Sequence, residues 1–202
     1  MKVLKSNMSG KLEGLAGINT SPLVNPFCEK MAKNLDLVCS KCYSRAMLKS
    51  VRKNAAPAMA RNTELLSGSI LEEKDLPKYT DKWKYGRFNA HGELVNLTHA
   101  INLLNIAKKN PHMIWGFWTK RPALVQEAIA KVGKPENVML IYSSPCLNVE
   151  APLPSGFDRT FTVYSKEEAK TVNINCGGKK CATCLLCYTP GNGVTSIKEK
   201  VK

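Results

Sequence analysis

The distribution of cysteine constrains this chain most, because seven of its eight cysteines lie in two clusters near opposite ends. The N-terminal cluster has the spacing C-x10-C-x2-C and consists of Cys28, Cys39 and Cys42. The C-terminal cluster has the spacing C-x4-C-x2-C-x2-C and consists of Cys176, Cys181, Cys184 and Cys187. If the cysteines of one cluster bind the same group, the fold must bring their thiols close together.

The compartment in which the chain resides decides between disulfides and metal. The N-terminal sequence M-K-V-L-K-S-N-M-S-G-K-L lacks the apolar core of a secretory signal. No run of about 18 apolar residues suggests a membrane-spanning helix. We therefore expect a cytoplasmic protein without membrane contact. Thiols stay reduced in the cytoplasm, so clustered cysteines there indicate bound metal.

The spacing of the C-terminal cluster favours iron–sulfur over zinc. Zinc sites usually consist of two C-x2-C pairs with a longer spacer, whereas the consecutive C-x2-C-x2-C resembles the run in ferredoxins. Three thiolates on an N-terminal [4Fe–4S] cluster would leave one iron open to a small molecule. A structural zinc would need a fourth ligand. Cys146 is a candidate for that ligand, and its alternative interpretation is a small buried apolar side chain.

Short apolar runs alternate with helical segments along the chain. Strands are predicted at residues 15–19, 85–90, 113–118, 138–142, 159–164 and 171–175. Helices are predicted at residues 96–109, 122–132 and 166–170, and within residues 44–67, where Pro57 breaks or restarts the helix. This alternation specifies a parallel sheet with helices outside it.

The length of 202 residues limits the size of this fold. A complete eight-unit barrel needs about 250 residues. We therefore predict an α/β fold, a small or partial parallel (β/α) barrel of about six units. It forms a single domain over residues 1–202. Within it, residues 1–45 hold the first strand and cluster loop, 85–175 the strand and helix core, and 176–190 the C-terminal cluster segment.

Chemistry in parallel α/β folds collects at the C-terminal ends of the strands. This rule predicts one rim that joins both clusters with the candidate ligand-binding residues Arg87, Asn89, His91, Gly92, Glu93 and Lys120. Arg87, Asn89 and His91 alternate along the second strand, and an arginine there suits a carboxylate or phosphate. Two structural alternatives stay open for Glu93, an ion pair with Arg87 or a carboxylate at a helix start.

The motifs around these residues resemble known families. A cysteine trio after the first strand, followed by H-G-E after the second, resembles the radical S-adenosylmethionine (SAM) enzymes. The whole chain is similar to a phage- and plasmid-borne family of small cysteine-rich proteins, the gene product eighty-eight type. This similarity lies in C-S-K-C-Y-S-R, A-R-N, R-F-N-A-H-G-E-L, N-P-H-M-I-W-G-F-W-T-K and the final C-x2-C-x2-C-Y.

The radical SAM resemblance implies roles for both clusters. Cys28, Cys39 and Cys42 would hold a [4Fe–4S] cluster whose open iron binds SAM. Gly92 and Glu93 would face the methionine part of SAM. The C-terminal cysteines would then hold an auxiliary [4Fe–4S] cluster. The family similarity also implies a phage- or plasmid-encoded protein in a bacterial host.

The formal net charge of +14 adds a further hypothesis. Nucleic acid is the usual partner of so basic a chain. Two clusters would offset part of the charge, because each carries about two negative charges with its ligands. Three functions are therefore considered. They are an iron–sulfur protein on a radical-SAM-like barrel with its enzymatic activity left open, a non-enzymatic electron carrier or redox sensor with a redox partner, and a zinc-stabilised nucleic-acid-binding protein.

Overall fold

A seven-stranded sheet runs through the computed structural model, which describes residues 2–201. The strands in chain order are β1 (Ser6–Asn7), β2 (Ala16–Ile18), β3 (Tyr85–Phe88), β4 (Ile114–Thr119), β5 (Val138–Ser143), β6 (Arg159–Tyr164) and β7 (Ser196–Lys200). Spatial order follows chain order, with β1 antiparallel to β2 and the other neighbours parallel. Six parallel strands in sequence order fit the predicted partial barrel.

Helices connect most of these strands. They are α1 (Pro26–Ala32), α2 (Tyr43–Lys49), α3 (Ala56–Gly68), α4 (Leu97–Lys109), α5 (Pro122–Val132) and the short α6 (Cys181–Cys184). Pro57 lies in the first turn of α3, where its missing N–H would have had no helical partner. The predicted restart at Pro57 is therefore confirmed. None of the helices described between residues 2 and 201 has the length and apolar character needed to span a bilayer.

The two faces of the sheet are covered differently. Alternate residues of β4 point to opposite faces, as strand geometry requires. Trp115 and Phe117 join the main core under α3, α4 and α5, where Trp115 stacks on Phe88 with ring centroids 4.3 Å apart. Trp118 joins a second core on the other face, with Ile197 and Tyr188. The C-terminal cysteine segment thus covers the face that the three long helices leave open.

The sixth parallel strand differs from the prediction. Residues 171–175 form no strand, and β7 at Ser196–Lys200 takes that place beside β6. Asn175 lies against β7 through its side chain, which donates to the Ser196 carbonyl at 2.9 Å and accepts from the Lys198 amide at 2.8 Å. The strand S-I-K-E-K has one buried apolar residue, Ile197, so its local pattern gives little indication of a strand. Pairing with β6 decides its structure.

Candidate functional site

The N-terminal cysteines come together from three short segments. Cys28 lies in α1, Cys39 in the 3₁₀ turn Val38–Lys41, and Cys42 directly before α2. Burial, together with the charges of Glu93, Cys39 and Cys42, raises the pKa of the Cys28 thiol to about 12. Because these groups act on one another, the trio and Glu93 share one electrostatic environment.

The trio lies near the C-terminal ends of β4 and β5, part of the rim on which both clusters were predicted. The Val38 amide donates to the Pro145 carbonyl at 2.9 Å, which ties the trio segment to the loop after β5. Lys120, just after β4, donates from Nζ to Ser143 Oγ at 2.8 Å. Its positive charge partly opposes the effect of burial on the pKa of Cys28 and Cys39. Lys120 is therefore a positively charged residue that acts on the trio at this rim.

Cys146 lies in the same loop and forms an isolated antiparallel bridge with Leu37. Burial raises the pKa of Tyr142, and the charge of Cys146 raises it further. Cys146 is thus near the trio segment in the fold, while its resolved electrostatic effect is on Tyr142. This placement leaves its role as a fourth ligand a prediction.

The Glu93 carboxylate, only 6% exposed, is held by protein donors. Its Oε1 accepts from Thr119 Oγ1 at 2.6 Å and from the Leu94 amide at 2.8 Å. Its Oε2 accepts from the Lys120 amide at 2.7 Å. These bonds fasten the loop after β3 to the end of β4. Neither structural alternative, an ion pair with Arg87 or a simple helix start, describes these contacts.

Gly92 has a packing role beside Glu93. Its φ is +84°, and a Cβ there would lie 2.6 Å from the Thr20 carbonyl oxygen. Only glycine permits both the positive φ and the close approach of the two chains. Gly92 and Glu93 thus have structural contacts of their own, and their contact with SAM stays a prediction.

The predicted alternation of R-x-N-x-H ends with β3 at Phe88. Asn89 has a φ of +56° and donates from Nδ2 to the Trp118 carbonyl at 3.2 Å. His91 Nδ1 is hydrogen-bonded to Ser44 Oγ at 2.7 Å, which ties it to α2. Burial lowers the pKa of His91 to about 4, so the imidazole is neutral at pH 7. The three side chains therefore serve separate contacts.

The C-terminal cysteines line one cavity. Its walls include Cys176, Cys181, Cys184 and Cys187, together with Lys11 and Tyr188. Cys187 is buried beneath the segment whereas Cys184 is exposed at its surface. Burial raises the pKa of the Cys187 thiol to about 12. The four thiols thus surround a common space at the covered inner face of the sheet.

Cations flank this cavity from two sides. Lys11 donates from Nζ to Cys176 Sγ at 3.1 Å and forms an ion pair with Glu199 at 2.5 Å. On the sheet side, the Arg87 guanidinium lies 3.9 Å from the centre of the Trp118 ring. Lys11 was not predicted as a site residue, because no local motif connects it with Cys176, which lies 165 residues further along the chain.

All eight cysteines are free thiols. Across residues 2–201, no group of three or more His, Cys, Asp or Glu side chains has the spacing of a metal-ion site. The C-terminal thiols thus line a shared cavity and do not converge on one point.

Comparison with known proteins gives one match. The family model described as gene product 88 matches residues 9–199, which is nearly the whole chain and includes both cysteine clusters. The searches of curated proteins and of solved structures found no match.

Proposed function

The chain belongs to the gene product 88 family, and we propose that it is an iron–sulfur protein with two [4Fe–4S] clusters. One cluster is held by Cys176, Cys181, Cys184 and Cys187. The other is held by Cys28, Cys39 and Cys42, and its fourth iron is open to a small molecule. When bound, such clusters would supply one-electron transfer at a potential that their charge and hydrogen bonding determine.

The cavity lined by four thiols is the observation that carries this proposal. Thiolates are soft ligands that select zinc, copper(I) or iron–sulfur clusters. One zinc ion would need all four sulfurs about 2.3 Å from a single point. A [4Fe–4S] cluster takes one thiolate on each iron, so its ligands surround a volume. Cysteines spread around a shared cavity fit the second arrangement.

The position of the trio supports an open site on the rim. The charge of Lys120 acts on the thiols of Cys28 and Cys39, and Lys120 is hydrogen-bonded to Ser143 at the ends of β4 and β5. An ammonium and a hydroxyl there are suited to bind the carboxylate of a small molecule such as SAM. Tyr43, the residue after Cys42, holds the loop after β3 near the trio by donating to the Ala90 carbonyl at 2.6 Å.

The contacts of Glu93 favour a second candidate, a non-enzymatic electron carrier or redox sensor. Its carboxylate already accepts three hydrogen bonds from Thr119, Lys120 and Leu94. A carboxylate so engaged has little remaining capacity for the amino group of SAM. Under this candidate, the same two clusters exchange electrons with a redox partner without binding SAM.

Low-temperature EPR of anaerobically purified, dithionite-reduced protein, with and without SAM, separates these functions. Cluster signals with one component shifted by SAM support the open-iron proposal. Signals indifferent to SAM support the carrier or sensor. If the protein retains zinc and gives no cluster signal, both iron–sulfur proposals are wrong, and the hypothesis of a zinc-stabilised nucleic-acid-binding protein is favoured.

Two variants assign the signals to their sites. The SAM-sensitive component should disappear in Cys39→Ala and persist in Cys184→Ala. The opposite pattern would show that the open iron belongs to the C-terminal cavity.

A further inference from the structure

Arg87 occupies a position between the rim and the C-terminal cavity. It extends from β3 on the inner face of the sheet, where its guanidinium stacks over the ring of Trp118 at 3.9 Å. The Trp118 ring lies 6.0 Å from that of Tyr188, between centroids. Tyr188 in turn lines the cavity directly after Cys187. A row of neighbouring groups thus leads from Arg87 through the Trp118 ring and the tilted Tyr188 ring to the cavity wall.

Three buried polar atoms in this row have no hydrogen-bond partner among the described residues. They are Arg87 Nε, Trp118 Nε1 and the Tyr188 hydroxyl. The first two can only donate, and the hydroxyl can donate as well. Buried donors without acceptors are costly, so they favour negative charge nearby. The row is therefore an electropositive wall on the sheet side of the cavity.

The charge of Arg87 reaches the C-terminal thiols. Burial raises the pKa of Cys181 and Cys187, and Arg87 is the largest charge that opposes this rise. At the N-terminal trio the opposing charge is Lys120, and the Glu93 carboxylate adds a negative charge there. Near the quartet, Lys11 and Arg87 act together against one carboxylate, Glu199, whereas near the trio Lys120 faces the single carboxylate of Glu93.

We propose that Arg87 is a positioning residue whose charge raises the reduction potential of the C-terminal cluster. The inference rests on the proposed function. Reduction adds one electron from an external one-electron donor to the cluster, and no bond forms or breaks. The added negative charge is stabilised by a cation that is partly buried and therefore weakly screened by salt. Charge and hydrogen bonding around the sulfurs are general determinants of such potentials.

The test is a redox titration followed by EPR, with dithionite as the donor. A Cys39→Ala parent isolates the C-terminal cluster, and Arg87→Met in that parent removes the charge while keeping an apolar chain over Trp118. We expect about a tenfold fall in the equilibrium constant for reduction, equal to about 59 mV for one electron. Arg87→Lys should restore most of the loss, since it keeps the charge.

Matched controls separate charge from structure. Arg61→Met removes an exposed cation from α3, on the opposite face, and should leave the potential unchanged. In a Cys184→Ala parent, Arg87→Met should change the potential of the N-terminal cluster less than it changes that of the C-terminal cluster in the Cys39→Ala parent. Near the trio, the charge of Arg87 acts on Tyr43 and His91 and not on the thiols of Cys28 and Cys39. If Arg87→Met fails to fold by circular dichroism, Arg87→Gln replaces it with the same expectation.

The outcomes distinguish this inference from the proposed function. Absence of iron in the wild-type protein overturns the proposed function itself. Bound iron with an unchanged potential in the folded Arg87 variants overturns only the role of Arg87. A lysine variant that behaves like the methionine variant would equally overturn it, because the retained charge would then have no effect.

Discussion

The two cysteine segments carry the same ligand type but are held in different ways. The N-terminal trio is spread over short elements at the rim and is positioned by hydrogen bonds from loops, such as that from Val38 to Pro145. The C-terminal quartet lies against the inner face of the sheet, where Cys187 and Tyr188 pack in a core with Trp118. The trio therefore depends on loop contacts, and the quartet depends on core packing.

The charges around the two segments differ as well. Glu93 and Lys120 adjoin the trio, whereas Lys11 and Arg87 flank the quartet. Groups beyond the ligands set the properties of metal sites as much as the ligands themselves. Two sets of cysteines in one small fold thus have different packing and different charged neighbours.

The largest effect is expected from removing a C-terminal ligand. Cys187→Ala should remove the iron of the C-terminal cluster and also destabilise the apoprotein, because Cys187 is a buried core residue. Cys184→Ala should remove the same iron with little cost to the apoprotein, since Cys184 is exposed. Iron analysis and thermal melting measure the two effects. Loss of all bound iron in either folded variant would contradict two separate sites.

The next effect concerns the loop contacts that support the trio. Gly92→Ala should destabilise the protein by about 3 kcal/mol or more, because the new methyl group meets Thr20 at a positive φ. Gly191→Ala is the control, since Gly191 has a φ of +67° and open space around it. It should cost about 1–2 kcal/mol. If chemical denaturation gives the same loss of unfolding free energy for both variants, the contact with Thr20 does not contribute to stability.

Glu93→Gln should have a smaller effect on stability and a distinct effect on potential. It weakens charged hydrogen bonds from Thr119 and Lys120, at a cost of about 2 kcal/mol. Removing the negative charge should also raise the reduction potential of the N-terminal cluster, because Glu93 acts on the thiols of Cys28 and Cys39. Redox titration in a Cys184→Ala parent tests this. If the reduction potential of the N-terminal cluster falls or is unchanged in Glu93→Gln, the charge of Glu93 does not set that potential.

Acid should lower the free energy of unfolding, because His99 in α4 is buried in its neutral form. Burial lowers the pKa of His99 from its ordinary 6.5 to about 3, and its Nδ1 accepts from the Val95 amide. Between these pH values only the unfolded chain binds the proton. Stability from this group is therefore complete above about pH 6.5 and is lost as the pH falls towards 3, by at most about 1.4 kcal/mol per pH unit.

Denaturation at several pH values checks this slope. His99→Asn keeps an acceptor for Val95 and removes the titrating group, so its stability should depend less on pH in that window. An unchanged slope would show that His99 is not responsible.

The smallest effect is expected at Cys146. If the trio alone holds the N-terminal cluster, Cys146→Ser should retain the iron and its EPR response to SAM. The position of Cys146 opposite Leu37 makes this a direct test of the fourth-ligand hypothesis. Loss of N-terminal iron would favour the closed, non-enzymatic site.

Local patterns predicted much of the fold. The predicted bounds of α5 and β6 agree with the structure, because both segments have a strong period or are bounded by turn residues. β7 was missed because its one apolar residue carries too weak a pattern. The alternation of Arg87, Asn89 and His91 was overextended, since the left-handed conformation of Asn89 ends the strand face. In this conformation the Asn89 side chain donates to the Trp118 carbonyl, a contact between distant segments that a local sequence pattern does not predict.

The sequence by itself determined five of the six parallel strands, the family and the two sets of cysteines. These properties depend on local periodicity and spacing. Only the tertiary structure decided that the quartet covers the inner face of the sheet, that Glu93 is bonded to Thr119, and that Lys11 meets Cys176. Each of these rests on contacts between segments far apart in the chain, and their geometry exists only once the sheet has formed.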